Sequence, residues 1–421
     1  MNLLVVGGGG REHAIIKKLK ENQKVKTIYA LPGNGGIASD AVCINEIGAK
    51  DIDKIVDFAK KHFIDFAVVA PDDPLALGCV DRLHEIGIPC FGPDAKAARI
   101  EASKVFSKNL MKKYGIPTAH YEVFNASQKA LDYLKNASFP IVIKADGLAL
   151  GKGVLISQSF DEAKEAVKTI MEDKAFGDSG NEIVIEEFLT GPEVSVLAFT
   201  DGTTIIPMIS SMDHKRAGEG DTGLNTGGMG TIAPNPYYTK ELADICMDTI
   251  FKPTLAAMRS EGCPFKGCLY FGLMITPNGP KVIEYNCRFG DPETQVVLPL
   301  LKTDLLTIMQ AVEDENLSDL KVEWHDRAAA CVILASGGYP GHYEKGKVIT
   351  IPEDTPSNVA VYHAGDELQC GKFVTSGGRV LGVTATAPTL AEALRDAYDV
   401  AETISFEGKY MRRDIGHRAL D

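Results

Sequence analysis

The chain has 421 residues, of which 45% are hydrophobic and 24% are charged, and it carries a formal net charge of −13. This length exceeds what one ordinary hydrophobic core holds, so it predicts about two to four domains. The acidic balance argues against broad binding to nucleic acid, which needs a basic surface to displace counterions. Anionic small molecules stay compatible with it, because they need only a local basic pocket.

The cysteines and the N-terminus bear on the compartment. Nine cysteines are scattered along the chain without a CxxC pair, which predicts reduced packing thiols and no zinc site. Met1 leads straight into an apolar strand, and no apolar run approaches the roughly 18 residues of a membrane span. We therefore expect a cytoplasmic protein that binds no membrane and no nucleic acid. We also expect a monomer.

Residues 1–93 alternate short apolar strands with helices. Strands are predicted at Leu3–Val6, Thr27–Ala30, Phe66–Ala70 and Pro89–Gly92, and helices at 12–21, 51–62 and 75–86. This alternation predicts a doubly wound parallel sheet. Ligands bind such sheets beyond the carboxyl ends of the strands. The loops 7–11, 32–36 and 71–74 would meet there.

The rest of the chain has a different pattern. A helix is predicted over 94–114, with Ser103 and Lys104 inside it. Residues 116–325 mix strands and helices, including a helix over 293–315, and carry a glycine-rich loop at 213–233, which predicts an α+β region. A last segment, 328–421, predicts a smaller α+β unit.

Four glycines, Gly7–Gly10, follow the first strand and precede Arg11. Glycines at this position let a ligand approach the backbone at a helix N-terminus. A dinucleotide site would also need an acidic residue at the end of the second strand, near Pro32, and none is present. The pattern favours a phosphorylated small substrate, contacted by Arg11, over a nicotinamide cofactor. A tight turn with packing glycines is the alternative.

Lys144 ends an apolar strand and is followed by a loop that contains Gly147, Gly151 and Gly153. Such a loop costs folding entropy unless its freedom or its bare amides are used. Amides and lysines that close over a polyphosphate use both. The spacing differs from the Walker sequence, so we predict a phosphate-binding flap of another kind. A solvated lysine at a strand end is the alternative.

Paired acids end the apolar strand within Ile183–Leu189, where Glu186 and Glu187 are followed by Glu193. Carboxylates and backbone groups at a strand exit can hold an adenine amine and a ribose diol. The alternative is that these are ordinary exposed glutamates, which are common at strand ends.

A charged cluster begins at Asp213 inside the long glycine-rich loop. Long loops of this kind are more often functional than simple connectors. Asp213 and Lys215 would suit a zwitterionic substrate, the first holding an ammonium group and the second a carboxylate. His214 fits a general base or a hydrogen-bonded structural histidine. A solvated loop is the alternative for the whole cluster.

Glu284 and Asn286 are two positions apart on a predicted strand, so both side chains point to one face. A carboxylate and an amide oxygen suit Mg²⁺, which shares its remaining ligands with water and phosphate. Arg288 faces the same side if the strand continues, and Asp291 follows in a turn that leads into a helix. Polar residues on an edge strand are the alternative.

These residues resemble the ATP-grasp superfamily and, within it, the phosphoribosylamine–glycine ligase family. The resemblance covers essentially the whole chain. The stretches that carry it are GGREH (9–13), PGN (32–34), KADGLALGKGV (144–154), IEEFL (185–189), DHKR (213–216), NTGGMG (225–230), EYNCRFGDPETQ (284–295) and TSGGRV (375–380). The resemblance implies that ATP, with Mg²⁺ or Mn²⁺, drives glycine onto 5-phosphoribosylamine through glycyl phosphate. The products would be glycinamide ribonucleotide, ADP and phosphate, in de novo purine biosynthesis.

The resemblance also implies domains and site residues. The domains would be a doubly wound substrate-binding domain (1–102), an α+β ATP-grasp domain (103–325) that contains a mobile ATP subdomain (118–194), and a small α+β C-terminal domain (326–421). The implied ATP contacts are Lys104, Lys144, Gly147, Gly151, Gly153, Glu186, Glu187, Phe188, Leu189 and Glu193. The implied metal ligands are Glu284 and Asn286. The implied catalytic residues are Asp213, Lys215, Arg288 and Asp291, and the implied substrate contacts are Gly10, Arg11, Asn34, Asp72 and Gly290.

The sequence departs from the family pattern at three places. Asp72 stands where the family usually has a longer glutamate, Leu150 stands where alanine is usual, and the strand at 269–274 offers no further acidic metal ligand. Three alternatives remain at this point: another ATP-grasp ligase such as a bicarbonate-using carboxylase, a nucleotide-binding regulatory module without turnover, and a nicotinamide oxidoreductase.

Overall fold

The N-terminal part of the molecule is a parallel five-stranded sheet. The structure, a computed structural model, describes residues 1–148 and 153–420. The strand order is β3-β2-β1-β4-β5, with helices on both faces. The strands are β1 Asn2–Gly7, β2 Thr27–Pro32, β3 Val42–Cys43, β4 Phe66–Val69 and β5 Cys90–Phe91, and the helices are α1 Gly10–Leu19, α2 Ile52–Lys61, α3 Asp72–Ala76 and α4 Cys79–His84.

Alternating residues of β1 explain why this sheet is doubly wound. Leu4 and Val6 pack into one core cluster, and Leu3 and Val5 pack into another on the opposite face. Successive side chains of a strand point to opposite faces, so an uninterrupted apolar strand needs helices on both. The predicted doubly wound parallel sheet is confirmed.

Two helices follow where the sequence predicted one over 94–114. They are α5 Ala95–Ala102 and α6 Lys104–Tyr114, and Ser103 lies between them with an extended backbone. The Ser103 hydroxyl accepts a hydrogen bond from the Phe106 amide at 3.0 Å, which is an N-cap contact. The single-helix prediction is wrong because this cap starts a new helix, and the new start places Lys104 in the first turn of α6.

The predicted ATP subdomain has its own sheet and core. Its strands β6 Tyr121–Phe124, β7 Ile141–Ala145, β8 Val154–Ser157 and β9 Ile183–Glu187 form an antiparallel sheet in the order β6-β9-β7-β8. The helices α7 Ser127–Leu134 and α8 Phe160–Val167 pack on it, and Ile143, Ile170 and Ile185 belong to the enclosed core. The domain boundaries given above stay predictions.

A second antiparallel sheet lies next to this subdomain in the order β11-β10-β16-β17. The strands of this part of the chain are β10 Glu193–Asp201, β11 Ile205–Pro207, β12 Met212–Asp213, β13 Arg216–Gly218, β14 Thr222–Asn225, β15 Gly230–Ala233, β16 Lys266–Thr276 and β17 Gly279–Asn286. The helices of this part of the chain are α9 Lys240–Cys246, α10 Lys252–Ser260, α11 Thr294–Val297 and α12 Leu305–Glu313. The single helix predicted over 293–315 is wrong, because the chain is extended at Leu301 between α11 and α12.

The fourth large sheet crosses the predicted boundary at 325/326. Its strand order is β12-β15-β18-β22-β19, and β23 also pairs with β18. The remaining elements are β18 Ala328–Ser336, β19 Val359–His363, β20 Asp366–Gln369, β21 Lys372–Thr375, β22 Arg379–Ala387, β23 Lys409–Tyr410 and α13 Leu390–Thr403. Because β15 pairs with β18 along four residues, Gly230 to Ala233, the C-terminal segment shares a sheet with the central region.

The cysteines and helices bear on two expectations from composition. The nine cysteines are free thiols, and only Cys43 and Cys370 among them are not buried. Within residues 1–148 and 153–420, every helix is too short or too polar to cross a bilayer.

Candidate active site

One large cleft brings the two most informative sequence segments together. It has a volume of about 920 Å³ and is lined by Lys144 of β7 and by Glu284 and Asn286 of β17. The Lys144 ammonium group donates a hydrogen bond to the Ile283 carbonyl at 3.1 Å. Ile283 lies at a β-bulge, where the pairing of β17 with β16 shifts by one residue. The cationic strand end and the oxygen-bearing strand therefore face each other across one cavity.

Two buried lysines and one buried glutamate form a charged group at one end of the cleft. Lys144 and Lys108 each form an ion pair with a different oxygen of Glu186, and Lys108 also donates to the Thr118 hydroxyl at 2.8 Å. Burial favours a higher pKa for Glu186, but the two lysines outweigh it and hold that pKa below its usual value. Burial lowers the pKa of Lys108 to about 8, although Glu186 opposes the shift.

Lys108 was not predicted from the sequence. It lies four residues after Lys104 on α6, so both side chains emerge on the same helix face. That spacing is the signal that could have identified it. Both lysines line the cleft, and the Lys104 ammonium group donates to the Gly147 carbonyl at 2.7 Å.

The start of the predicted flap is tied to the start of α6. The Asp146 carboxylate accepts from the Val105 amide at 3.1 Å and from the Ser103 hydroxyl at 3.2 Å. Gly147 has a φ of 142°, and a Cβ there would overlap the Ser179 side chain. Gly153 lines the cleft. Gly151, which was also predicted to bind ATP, lies outside the described residues.

The strand exit at 186–193 lines the cleft as well. Glu187, Phe188, Leu189 and Glu193 all border it. The Glu187 carboxylate accepts from Lys281 at 2.9 Å and from the His120 amide at 3.1 Å. Because the Glu186 carboxylate is occupied by two lysines, the side chain of this residue is not available for adenine, and only its backbone can serve the predicted contact.

Lys215 links the ribose and metal candidates. Its ammonium nitrogen lies 3.2 Å from a Glu193 oxygen and 3.5 Å from a Glu284 oxygen. Burial alone would lower the pKa of Lys215. The Glu193 and Glu284 carboxylates outweigh burial, and the pKa of Lys215 is raised well above its usual value. Burial likewise favours a higher pKa for Glu284, and the lysines around it, Lys215 first, hold the pKa below its usual range.

The metal candidates are two oxygen donors rather than a closed cage. Across residues 1–148 and 153–420, no group of three or more His, Cys, Asp or Glu side chains is arranged to hold a metal ion. Glu284 and Asn286 lie on one face of β17 beside the lysines that would hold phosphates. Two hard oxygen ligands next to phosphates fit Mg²⁺, which usually takes one or two carboxylates and completes its shell with water and phosphate.

Two carboxylates face the opposite end of the cleft. Asp213 Oδ1 is buried without a hydrogen-bond partner among the described residues. Burial, with Glu293 as the next cause, raises the pKa of Asp213 well above its usual value. Glu293 accepts from the Tyr270 hydroxyl at 3.1 Å and from the Ser195 hydroxyl at 3.4 Å. Glu293 belongs to the GDPE motif but was not selected from the sequence as a site residue.

Two arginines mark the part of the cleft nearest the N-terminal sheet. Arg288 contacts Glu101 at 2.9 Å and Asp72 at 3.8 Å. The Arg11 backbone amide donates to Asp291 at 3.2 Å. The Nε atoms of both arginines are buried and have no hydrogen-bond partner within residues 1–148 and 153–420. Burial favours a higher pKa for Asp72, but Arg288 and Arg11 outweigh it and lower that pKa.

Two predicted substrate contacts, Gly10 and Asn34, do not line this cleft. The Asn34 side-chain amide donates to the Gly8 carbonyl at 3.0 Å and to the His363 carbonyl at 2.9 Å, and its oxygen accepts from the Ile37 amide at 2.8 Å. A Cβ on Gly10 would lie 2.6 Å from the Gln295 amide nitrogen. Both residues fix the shape of the first loop. For Gly10, a packing role in a tight turn fits these contacts better than direct contact with a substrate.

His214 is a structural histidine. It is 1% exposed, its Nδ1 lies 3.1 Å from the Gly230 carbonyl, and its Nε2 accepts from the Gly416 amide at 3.1 Å. Burial lowers its pKa to about 4. Of the two interpretations left open by the sequence, the general base is excluded by these two backbone partners.

The chain is similar to known ligases along its whole length. The phosphoribosylamine–glycine ligase of Caldanaerobacter subterraneus subsp. tengcongensis is 50% identical over 415 residues, and the alignment covers 99% of each chain. The chain belongs to this family. Family models for the N domain, the ATP-grasp (A) domain and the C domain of phosphoribosylglycinamide synthetase match residues 1–101, 102–294 and 329–418.

Other relatives agree in sequence and in fold. The bifunctional purine biosynthetic protein PUR2,5 of Pichia angusta is 50% identical over 425 residues, which cover all of this chain and 54% of that protein. The crystal structure of the Thermotoga maritima phosphoribosylamine–glycine ligase is 36% identical, with a TM-score of 0.87 over 99% of this chain and 100% of that one. The biotin carboxylase of Campylobacter jejuni shares the fold, with a TM-score of 0.76 at 13% identity over 97% of this chain and 92% of that one.

Membership in the ligase family confirms several predictions from the sequence. The resemblance, the α/β fold class and an ATP-dependent carbon–nitrogen ligase of purine biosynthesis are all confirmed. The individual site residues remain proposals.

Proposed function

We propose that this ligase phosphorylates the carboxylate of glycine with ATP and then transfers the glycyl group to the amine of 5-phosphoribosylamine. The products are glycinamide ribonucleotide, ADP and phosphate. The observation that supports the proposal most directly is the shared cleft. Lys144, the oxygens of Glu284 and Asn286, and the loop that carries Asp213 and Lys215 all line it.

The nucleotide end would hold ATP through lysines that already line the cleft. Lys104 and Lys144 contact the Gly147 and Ile283 carbonyls, and phosphate oxygens would take over these donors. Buried cations in place before the reaction stabilise developing negative charge without reorganisation. The loop from Gly147 to Gly153 would cover the phosphates, and the backbone at 186–189 would face adenine. Glu193 would face the ribose.

The same end would hold a divalent metal. Glu284 and Asn286 would bind Mg²⁺ or Mn²⁺ together with phosphate oxygens. The ion would neutralise charge on the transferred phosphoryl group.

The opposite end would hold glycine as a zwitterion. Asp213 Oδ1 is buried and lacks a partner among the described residues, and Glu293 lies close enough to contribute to its raised pKa. These carboxylates suit an ammonium group. Lys215 and Arg288 would face the carboxylate and the acyl phosphate, and the Gly290–Asp291 turn would close the site.

Holding glycine as an ammonium ion has a chemical purpose. Two amines are present in the reaction, and only that of phosphoribosylamine must attack the acyl phosphate. A protonated amine has no lone pair with which to attack. By keeping the glycine amine protonated, Asp213 and Glu293 would prevent it from attacking glycyl phosphate. No nucleophilic side chain is required, since positioning and charge neutralisation suffice.

Phosphoribosylamine would bind between the cleft and the N-terminal sheet. Arg11 and Asp72 line the cleft on this side. The Nε donors of Arg11 and Arg288 have no partner in the part of the chain that the structure describes, and they would suit its phosphate or hydroxyl groups. Gly10 and Asn34 would act indirectly, by fixing the loop that precedes α1.

Release of ADP under controlled omission tests the proposal. With ATP, Mg²⁺, glycine and freshly generated phosphoribosylamine, steady ADP release and an equal amount of glycinamide ribonucleotide are expected. Omission of glycine or of phosphoribosylamine should stop steady release, and bicarbonate should not replace glycine. ADP release that depends on bicarbonate and ignores glycine would refute the assignment in favour of a carboxylase.

The proposal also includes the predicted monomer and the predicted cytoplasmic location. Light scattering during gel filtration and fractionation of cells test these two predictions separately.

A further inference from the structure

The Gly227–Gly228 peptide is held from two sides by residues of the C-terminal segment. The Gly227 amide donates to the Tyr339 hydroxyl at 3.0 Å. Arg379 Nη1 donates to the Gly227 carbonyl at 2.8 Å and lies 3.4 Å from the Gly228 carbonyl. Arg379 is the first residue of β22 and lies 152 positions after Gly227 in the sequence.

The same guanidinium group also holds the turn that carries Asp291. Arg379 Nη1 donates to the Asp291 carbonyl at 2.7 Å, and Nη2 lies 3.5 Å from an Asp291 carboxylate oxygen. Arg379 and Tyr339 both line the cleft. One arginine therefore joins two loops at the end of the cleft where glycine is proposed to bind.

Neighbouring atoms pack closely around this junction. A Cβ on Gly227 would lie 2.8 Å from Arg379 Cζ. A Cβ on Gly228 would lie 2.5 Å from Asp213 Oδ1 and 2.5 Å from a ring carbon of Pro292. Gly228, whose φ is 119°, has no room for a side chain, whereas the atoms close to Gly227 belong to the Arg379 side chain. The backbone that Arg379 holds is thus in direct contact with Asp213.

We propose that Arg379 is a positioning residue for the amino-acid end of the cleft. It fixes the Gly227–Gly228 peptide against Asp213 and holds the Asp291 turn, so that both carboxylates keep the geometry that glycine requires. The proposal rests on the proposed function, because it assumes that glycine binds beside Asp213. The lysines at the nucleotide end make no recorded contact with Arg379 in the described residues.

Steady-state kinetics of two variants test this role. Arg379→Gln removes the charged donor and should raise the KM for glycine by about tenfold or more, while the KM for ATP changes by less than about twofold. Arg379→Lys should restore part of the loss, because an ammonium group can still donate to the carbonyls of both loops. A role in stability alone would lower the melting temperature and leave the KM values of the folded enzyme unchanged.

Arg327→Gln is the matched control. Arg327 is exposed and donates to the Thr386 carbonyl of the same strand β22 at 3.0 Å, away from the cleft. This variant should keep both KM values. If Arg327→Gln raised the KM for glycine as much as Arg379→Gln does, the effect would belong to the sheet and the proposal would be wrong.

A double-mutant cycle with Asp291→Asn separates a positioning role from an independent one. Since Arg379 is argued to act through the Asp291 turn, the two losses should be clearly less than additive. Fully additive losses would overturn the proposal. If Arg379→Gln fails to fold, Tyr339→Phe provides the same test, with a smaller rise confined to the KM for glycine. Wild-type enzyme that ignores glycine altogether would instead refute the proposed function, so the two failures are distinguishable.

Discussion

The two ends of the cleft are built in different ways. At the proposed nucleotide end, Lys144, Lys108 and Glu186 come from a strand, a helix and a strand, and their charges offset one another. At the amino-acid end, Asp213 and Asp291 come from loop regions and short strands. The side chains of the first end belong to regular helices and strands, whereas those of the second end depend more on contacts with distant parts of the chain.

The C-terminal tail shows how far these contacts reach. Arg412, 1% exposed, donates to the Arg216 carbonyl at 3.0 Å and pairs with Asp221 at 3.1 Å. The Tyr410 hydroxyl donates to the Ala217 carbonyl at 2.8 Å. The tail therefore holds the β13–β14 hairpin, which directly follows Lys215. The proposed amino-acid end therefore depends on residues almost 200 positions later in the chain. At the proposed ATP end the ion pairs of Glu186 join residues 42 and 78 positions apart, and the Lys144 contact with Ile283 spans 139 positions.

Lys144→Met tests the nucleotide end and should have the largest effect. Loss of the cation leaves Glu186 with one lysine and removes a donor from the phosphate site. We expect kcat/KM to fall by about 10³-fold, the scale seen when one preorganised donor is removed. Rates of ADP formation measure it. Lys113→Met, at an exposed lysine paired with Glu261, is the control and should behave as wild type.

Asp213→Asn tests the amino-acid end. An amide cannot balance an ammonium ion, so the KM for glycine should rise by about 30-fold, or about 2 kcal/mol, with little change in the KM for ATP. Preference for glycine over glycolate, which has a hydroxyl group in place of the ammonium group, should narrow. Asp248→Asn, at an exposed residue paired with Lys252, is the control. An unchanged preference would contradict the assignment of Asp213.

Arg412→Gln tests whether the tail governs only one end. Its loss leaves Asp221 and Asp414 without their buried partner, and the free energy of unfolding should fall by about 2 kcal/mol. In the folded enzyme the KM for glycine should rise about threefold to tenfold and the KM for ATP should not. Urea denaturation and initial rates measure both. An equal rise in the two KM values would erase the distinction between the ends.

His214→Gln should have the smallest effect at neutral pH, and its effect appears in acid. The pKa of His214 is about 4 in the folded chain, against a usual value of 6.5, because burial disfavours the cation. As the pH falls, His214 is therefore protonated in the unfolded chain before it is protonated in the folded chain. Its contribution to the free energy of unfolding is fully present above pH 6.5 and is lost as the pH falls toward 4. Between pH 7 and pH 5 this histidine costs about 2 kcal/mol.

Urea denaturation at these two pH values measures the acid sensitivity. The fall in the free energy of unfolding should be smaller by about that amount in His214→Gln, while His342→Gln, at an exposed histidine, should match wild type. An acid loss that is the same in all three proteins would show that His214 is not the group being protonated.

The nucleotide end could be predicted largely from the sequence because its side chains belong to continuous patterns. Lys144 ends an apolar strand, and Glu284 and Asn286 alternate on another, so strand periodicity alone indicates where they point. The structure places all three on one cleft. The doubly wound sheet could be predicted for the same reason, since its strands are short and uniformly apolar.

The helix break at Ser103 and the roles of Asn34 and Arg379 could not be predicted, because they depend on contacts that local sequence patterns do not indicate. The apolar pattern predicts one helix over 94–114, and only the hydrogen bond of Ser103 divides it. Asn34 has a motif position typical of a substrate contact, yet its amide joins the first loop to β19. Arg379 donates a hydrogen bond to the Gly227 carbonyl, 152 positions earlier in the chain. The pairing of β18 with β22 brings these two residues together.

The sheet that unites β15 with β18 limits how the chain can be divided. A fragment that stops at residue 325 would keep the pairing of β15 with β12 but would leave the other edge of β15 without β18, and exposed strand edges recruit other chains. Such a fragment should aggregate on expression, whereas co-expression with residues 326–421 should restore solubility by supplying the missing edge.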